Sequence, residues 1–296
     1  NTKIEAIFYK ELYTYEDWQQ IETDTYQNYR LMEDIDFAGR TNIKSNVNMG
    51  RFESDGNKKL TNITIQTNSA EPIRLIQSIQ TNLENITFEN ITLTNTSKNS
   101  VPYNGVIGML NANAKNITFK NITVDAPNQP YTGLIGMIQL GEVEQIILED
   151  ITIKGYNNVG GFTGRIDNAS IENLDAKNVI VEASGEYSGG IVGYQTYYSE
   201  IESRLKNINA NSITITGADY VGGILGYGKG CNITIEESNI TGNSYVGGIV
   251  GSLTQTDSNI SGTEDISNLK SYNNTIQGSG EEIRWNSRKN PKSTNK

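Results

Sequence analysis
Apolar residues recur in this chain at every second position in short runs, and the runs themselves recur. Ile86-Thr87-Phe88 precedes Ile91-Thr92-Leu93, Ile117-Thr118-Phe119 precedes Ile122-Thr123-Val124, and Ile146-Ile147-Leu148 precedes Ile151-Thr152-Ile153. Val179-Ile180-Val181, Ile213-Thr214-Ile215 and Ile233-Thr234-Ile235 continue the series. Period-two alternation puts one face of a strand inside and the other in solvent. Between the runs lies a glycine-bounded apolar phrase. It begins as Gly105-Val106-Ile107-Gly108 and Gly133-Leu134-Ile135-Gly136, and continues as Gly160-Gly161-Phe162-Thr163-Gly164. Gly189-Gly190-Ile191-Val192-Gly193, Gly222-Gly223-Ile224-Leu225-Gly226 and Gly247-Gly248-Ile249-Val250-Gly251 follow. The closing glycines stand at 108, 136, 164, 193, 226 and 251, so the spacings are 28, 28, 29, 33 and 25.

One such unit cannot bury its apolar face alone, whereas units stacked in parallel can. The pattern therefore predicts an all-β fold, a parallel β-helix of about seven coils with ladders of like residues. The right-handed form is expected, because parallel crossovers strongly prefer that hand. Residues 1–60 read as an N-terminal cap and first coil, 61–278 as the solenoid, and 279–296 as a polar tail or linker. Within the cap, residues 15–21 read as a short amphipathic helix with Thr14 as its N-cap, and 29–37 as one alternating strand. The abrupt start at Asn1 and the polar end read as a piece cut from a longer protein.

Composition narrows the picture. Asn, Thr, Ser and Gly are abundant, which suits strands and turns. The net charge of −10 argues against nucleic acid and anionic membrane as partners. No stretch approaches the roughly 20 apolar residues of a membrane helix, and a monomer is expected. There is no histidine and one cysteine, Cys231, expected as a packing residue. Asn-x-Ser/Thr sites at Asn62, Asn85, Asn90, Asn116, Asn121, Asn232 and Asn239 recur with the strands, so they read as turn or ladder residues rather than glycan acceptors.

The phrase Tyr220-Val221-Gly222-Gly223-Ile224-Leu225-Gly226-Tyr227 resembles the GLUG motif. The opening segment is similar to the start of the same arrays in Asp17-Trp18, Asn28-Tyr29-Arg30-Leu31, Asp34-Ile35-Asp36-Phe37 and Gly50-Arg51-Phe52. Together these resemble the N-terminal region of the immunoglobulin A1-specific zinc metallopeptidases of Gram-positive bacteria and related surface proteases. The likeness spans most of residues 5–276. It implies a secreted or cell-wall-attached, virulence-associated setting and a β-solenoid accessory to a separate catalytic domain. Zinc would belong to that other domain, at an H-E-x-x-H site. With no histidine here, the family's catalytic residues carry over to no position. GLUG arrays also occur in adhesin-like surface proteins, so an adhesin or stalk is the alternative.

No catalytic, cofactor-binding or metal-ligating residue is therefore expected in this chain. Glycan-active β-helices need clustered carboxylates or calcium on an outer face. Asp34 with Asp36, and the Glu142, Glu144, Glu149, Asp150 group, read instead as solvated or turn-capping acids. Tyr103, Tyr131, Tyr187, Tyr220 and Tyr245 precede successive glycine phrases at nearly one offset and predict an aromatic ladder along one corner, structural first and a binding stripe second. The 33-residue spacing predicts a loop over 194–202, whose Tyr194, Tyr197 and Tyr198 are the candidate partner-binding residues. The partner expected there is a host glycoprotein such as an immunoglobulin, or a surface glycan.

Overall fold
The structure, a computed structural model, describes residues 6–196, 204–253, 268–280 and 283–284. It is an all-β parallel solenoid of about seven turns with almost no helix. Equivalent residues of successive coils pair in register. One inward column runs Ile35, Leu60, Phe88, Phe119, Leu148, Ala176, Ala210, Ile235 and Ser271. A second runs Ile76, Ile107, Ile135, Thr163, Val192, Leu225 and Val250, through the glycine phrases. Leu134, Phe162, Ile191, Ile224 and Ile249 fill the phrases between and are fully buried. Each such side chain contributes about 1.5–3 kcal/mol by leaving water, so the core needs no disulfide. Cys231 is not part of that core: it stacks on Lys206 and is half-buried.

The sequence predicts three separate short strands per coil. In the structure several of them merge, as in Arg74–Asn95 and Thr163–Ala183, because single residues turn the chain without breaking the ladder. Those residues are mostly asparagine in the left-handed region: Asn62, Asn85, Asn90, Asn116, Asn121 and Asn232 have φ between 50° and 61°. Asparagine tolerates that region better than most residues. Its amide also pairs with the next coil. Asn121 donates to Asn90, Asn90 to Asn62 and Asn62 to Asp36, at 2.8, 3.1 and 2.8 Å. Asn239 departs from the expectation: it is exposed within the strand Asn239–Gly242, and Glu237 takes the left-handed turn in that coil.

A second, five-stranded sheet lies along the other side. Its strands are Val159–Gly160, Ser188–Gly189, Asp219–Gly222, Ser244–Gly247 and Ile283–Arg284. At the N-terminal end the helix is Tyr15–Gln19, shorter than expected, with Thr14 and Asp17 forming a capping box. Trp18 is buried edge-on against Phe37 and Phe52, and its Nε1 donates to the Lys44 carbonyl at 2.9 Å. The strand expected over 29–37 is two strands, Tyr29–Leu31 and Ile35–Asp36. They pair with residues 52–54 and 60–61, on either side of a turn in the next coil.

Candidate functional site: a tyrosine-lined face
Tyr103, Tyr131, Tyr187, Tyr220 and Tyr245 all have positive φ, from 51° to 71°. A bulky residue in that region is an outlier and costs roughly 1–2 kcal/mol. The residues immediately after these tyrosines, Asn104, Thr132, Ser188, Val221 and Val246, fall in one coil-to-coil series of pairs, with Val159 between Thr132 and Ser188. The tyrosines therefore stand in one column, with Asn158 at the rung between Tyr131 and Tyr187. Tyr103 stacks on Tyr131 at 5.6 Å, Tyr187 on Tyr220 at 4.8 Å and Tyr220 on Tyr245 at 4.7 Å. The ladder expected from the sequence is present, with one rung that carries no ring.

The closing glycine of each phrase makes this corner possible. A Cβ on Gly136 would lie 2.6 Å from Tyr103 Cα, one on Gly226 2.8 Å from the Tyr187 carbonyl carbon, and one on Gly251 2.7 Å from that of Tyr220. Each glycine thus gives room to the tyrosine corner of the preceding coil.

A second aromatic column stands beside the first. Tyr194 stacks on Tyr227 at 5.1 Å, and Tyr187 meets both edge-on at 5.0 and 5.9 Å. The same register position holds Met137 and Arg165 before them and Ser252 after. Arg165 Nε donates to Asp167 Oδ1 at 2.7 Å, and its Nη1 donates to the Tyr131 hydroxyl at 3.4 Å. The guanidinium carbon lies 5.6 Å from the Tyr131 ring centre and 5.8 Å from that of Tyr194. Thr196 Oγ1 also donates to Asp167, at 2.6 Å. The tyrosines of both columns are half-buried. Partial burial raises the phenol pKa of Tyr187, Tyr194 and Tyr220 above the ordinary value. The neutral phenol, a hydrogen-bond donor and acceptor, is the form this face presents near neutral pH.

The sequence missed Tyr227, Arg165 and Asp167. A signal was available for the first two: Arg165, Tyr194 and Tyr227 each directly follow a closing glycine. Tyr194, expected in the loop over 194–202, lies instead in the strand Val192–Gln195, paired with Arg165 and Tyr227, while Tyr197 and Tyr198 lie outside the described residues. The position of the surplus is fixed by pairing on either side. Ile166 pairs with Gln195 and Ser170 with Arg204, so 3 residues in one coil stand against 8 in the next. A larger surplus follows in the next coil: Gly228 pairs with Leu253 and Ile233 with Leu269, so 4 residues stand against 15. Both depart from the strands carrying the second column.

The acids elsewhere are engaged in the fold. Asp34 Oδ1 accepts from the Lys59 N–H at 2.9 Å, and Asp36 accepts from Asn62 and the Ala38 N–H. Glu144 and Glu149 pair across coils with Lys115 and Lys120 at 3.2 and 2.8 Å, and Asp150 accepts from Asn178 at 2.9 Å. Among the described residues no group of three or more His, Cys, Asp or Glu could hold a metal ion, and no helix is long and apolar enough to cross a membrane. With no histidine in the chain, its residues do not fit a zinc site of the H-E-x-x-H kind.

No family model matches the chain, and no curated protein matches it. Among solved structures it is similar to the crystal structure of a candidate immunoglobulin A1 protease from Bacteroides ovatus. The two share 16% sequence identity with a TM-score of 0.51, over 90% of this chain and 84% of the other. That likeness establishes a shared solenoid fold.

Proposed function
We propose that this chain is a non-catalytic solenoid region of a secreted or wall-attached bacterial protease of the immunoglobulin A1 peptidase kind. It spaces the catalytic part and holds a glycoprotein substrate on its tyrosine face. The observation that carries the binding role is the double column itself. Five tyrosines at one corner sit in a backbone region that disfavours them. The left-handed turns elsewhere among the described residues are made mostly by asparagine, with Gln145, Asp150, Ser212 and Glu237 beside it. Residues held against their conformational preference cluster at functional sites. Half-exposed aromatics beside an arginine are also the side chains that anchor interfaces. The likeness to the Bacteroides ovatus protein supports the protease setting, as do the GLUG-like phrases and the opening segment. The right-handed coil and a capping role for the Tyr15–Gln19 helix belong to the same reading.

Capture of immunoglobulin A1 by the purified chain tests this, with Tyr220→Ser/Tyr227→Ser as the comparison. The double variant should lose at least tenfold in affinity and keep its Tm within a few degrees. Equal binding by the two would remove the tyrosine face. An H-E-x-x-H sequence further along the parent chain distinguishes the protease from an adhesin or stalk.

A further inference from the structure
Five of the tyrosines on this face form one connected set of rings. Tyr245 stacks on Tyr220 at 4.7 Å with 8° between the ring planes, and Tyr220 on Tyr187 at 4.8 Å with 14°. Tyr187 meets Tyr194 at 5.0 Å and Tyr227 at 5.9 Å, and those two stack at 5.1 Å with 8° between them. Tyr103 and Tyr131 form a separate pair, 5.6 Å apart and tilted by 28°. Asn158 occupies the rung between that pair and Tyr187, and among the described residues no ring contact crosses it.

A phenol that gives up one electron also gives up its hydroxyl proton and becomes a neutral phenoxyl radical. The unpaired electron is shared between the oxygen and the ring, including the carbons ortho to the oxygen. All seven of these tyrosines are half-exposed, so an oxidant reaches them and water takes the proton. Rings in contact exchange electrons. A radical formed anywhere in the set of five therefore moves through it, whereas one formed on Tyr103 or Tyr131 stays in its pair. Local charge sets where the radical comes to rest. The Glu186 carboxylate acts on Tyr187 and Tyr220, and that of Asp219 on Tyr220, and negative charge favours loss of an electron. The Arg165 guanidinium opposes it at the other end, 5.6 Å from the Tyr131 ring centre and 5.8 Å from that of Tyr194. The closest stack, Tyr220 on Tyr245, lies at the favoured end.

We propose that Tyr220 and Tyr245 are an oxidative modification site, where a haem peroxidase with hydrogen peroxide forms a dityrosine bond that ties two successive coils together. The peroxidase takes one electron from each phenol, and each phenol releases its hydroxyl proton to water. The two radicals join through a new bond between ring carbons ortho to the oxygens. The hydrogens on those carbons then pass to the oxygens through water, which restores both phenols. In total two phenols lose two hydrogens, and one hydrogen peroxide is reduced to two waters. A bond between neighbouring coils restricts the unfolded chain and so favours the folded one. None of this depends on the tyrosine face holding a substrate.

The test treats the dilute full chain with a haem peroxidase and hydrogen peroxide. Dityrosine fluorescence, a reducing denaturing gel and mass spectrometry of cross-linked peptides then read the product. The linked peptides should join Tyr220 to Tyr245 within one molecule and weigh two hydrogens less than their sum. Tyr220→Phe keeps a ring in the stack but has no phenol to oxidise, so it should lower dityrosine severalfold, while Tyr103→Phe should leave it unchanged. The oxidised wild type should melt several degrees above the untreated chain, and oxidised Tyr220→Phe should not. Peptide mapping uses the wild type, so the test holds even if Tyr220→Phe folds poorly. No dityrosine, linkage only between molecules, equal linkage at Tyr103 and Tyr131, or full yield from Tyr220→Phe overturns the proposal. An unchanged Tm of the linked chain also overturns it, since the bond would then tie nothing that matters to folding.

Discussion
This solenoid turns the chain through the left-handed region at two kinds of corner, one built on asparagine and one, in five coils, on tyrosine. At the asparagine corners the side chain is short and its amide donates to the same residue one coil back, as in the run from Asn121 to Asp36. At the tyrosine corners the residue is one that the region disfavours, and relief comes from ring stacking and from a glycine in the next coil. The first kind uses its polar groups on itself and leaves little to offer a partner. The second points phenols outward and keeps them half-exposed. One backbone requirement therefore has two solutions, one that closes the surface and one that opens it.

The largest effect expected from testing this contrast is at the glycines. Gly226→Val would push a Cβ into the backbone of the Tyr187 corner and should cost about 3 kcal/mol. Denaturant unfolding of the variant measures it, and a loss below about 1 kcal/mol would show that the corner yields easily. Next come matched changes at the corners. Asn90→Ala removes a good left-handed residue and two ladder hydrogen bonds, together about 2 kcal/mol. Tyr220→Asn relieves its backbone while losing two stacking partners, so the net change should stay within about 1 kcal/mol. If Tyr220→Asn proves the more damaging, the tyrosine column is primarily a structural lock.

The smallest effect is in alkali. Burial raises the phenol pKa of Tyr187, Tyr194 and Tyr220. The folded chain therefore keeps protons that the unfolded chain releases from about pH 10 upward. Their contribution is fully present below that pH and declines as pH rises through the folded values. Melting curves between pH 8 and 11 should show an extra decline that Tyr187→Phe/Tyr220→Phe reduces. The asparagine corners, having nothing to titrate, add no such slope.

Much of the fold was legible because stacking repeats the same contacts. The closing glycines gave the period, and Val192, Leu225 and Val250 do pair in register as their phrases suggest. The tyrosine column was legible by its offset. Its conformation was not, since propensity alone argues against tyrosine with positive φ, and only the glycine of the following coil explains it. The second column was missed because it is short, with tyrosine at 194 and 227 but methionine, arginine and serine at the neighbouring rungs. The surplus after Leu253 was hidden because no glycine phrase follows it to reset the count. Asn239 shows the limit of a motif read locally: the turn falls five residues after Asn232, at Glu237, as it falls five after Asn207, at Ser212, and Asn239 aligns with Thr214 beyond it.

The pairing of a tyrosine corner with the next coil's glycine also makes the protein countable. Every coil from Gly136 to Gly251 carries its own glycine and its own corner, so a cut made at the same point in two coils leaves each partnership intact. Excising residues 165–193 would join Gly164 to Tyr194 and remove one period of 29 residues. Its reach would shorten by about 4.8 Å, whereas a cut of half that length would set corners against the wrong residues. Gene duplication can therefore lengthen or shorten such a chain only in whole steps, and the distance it spans behaves like the markings on a ruler.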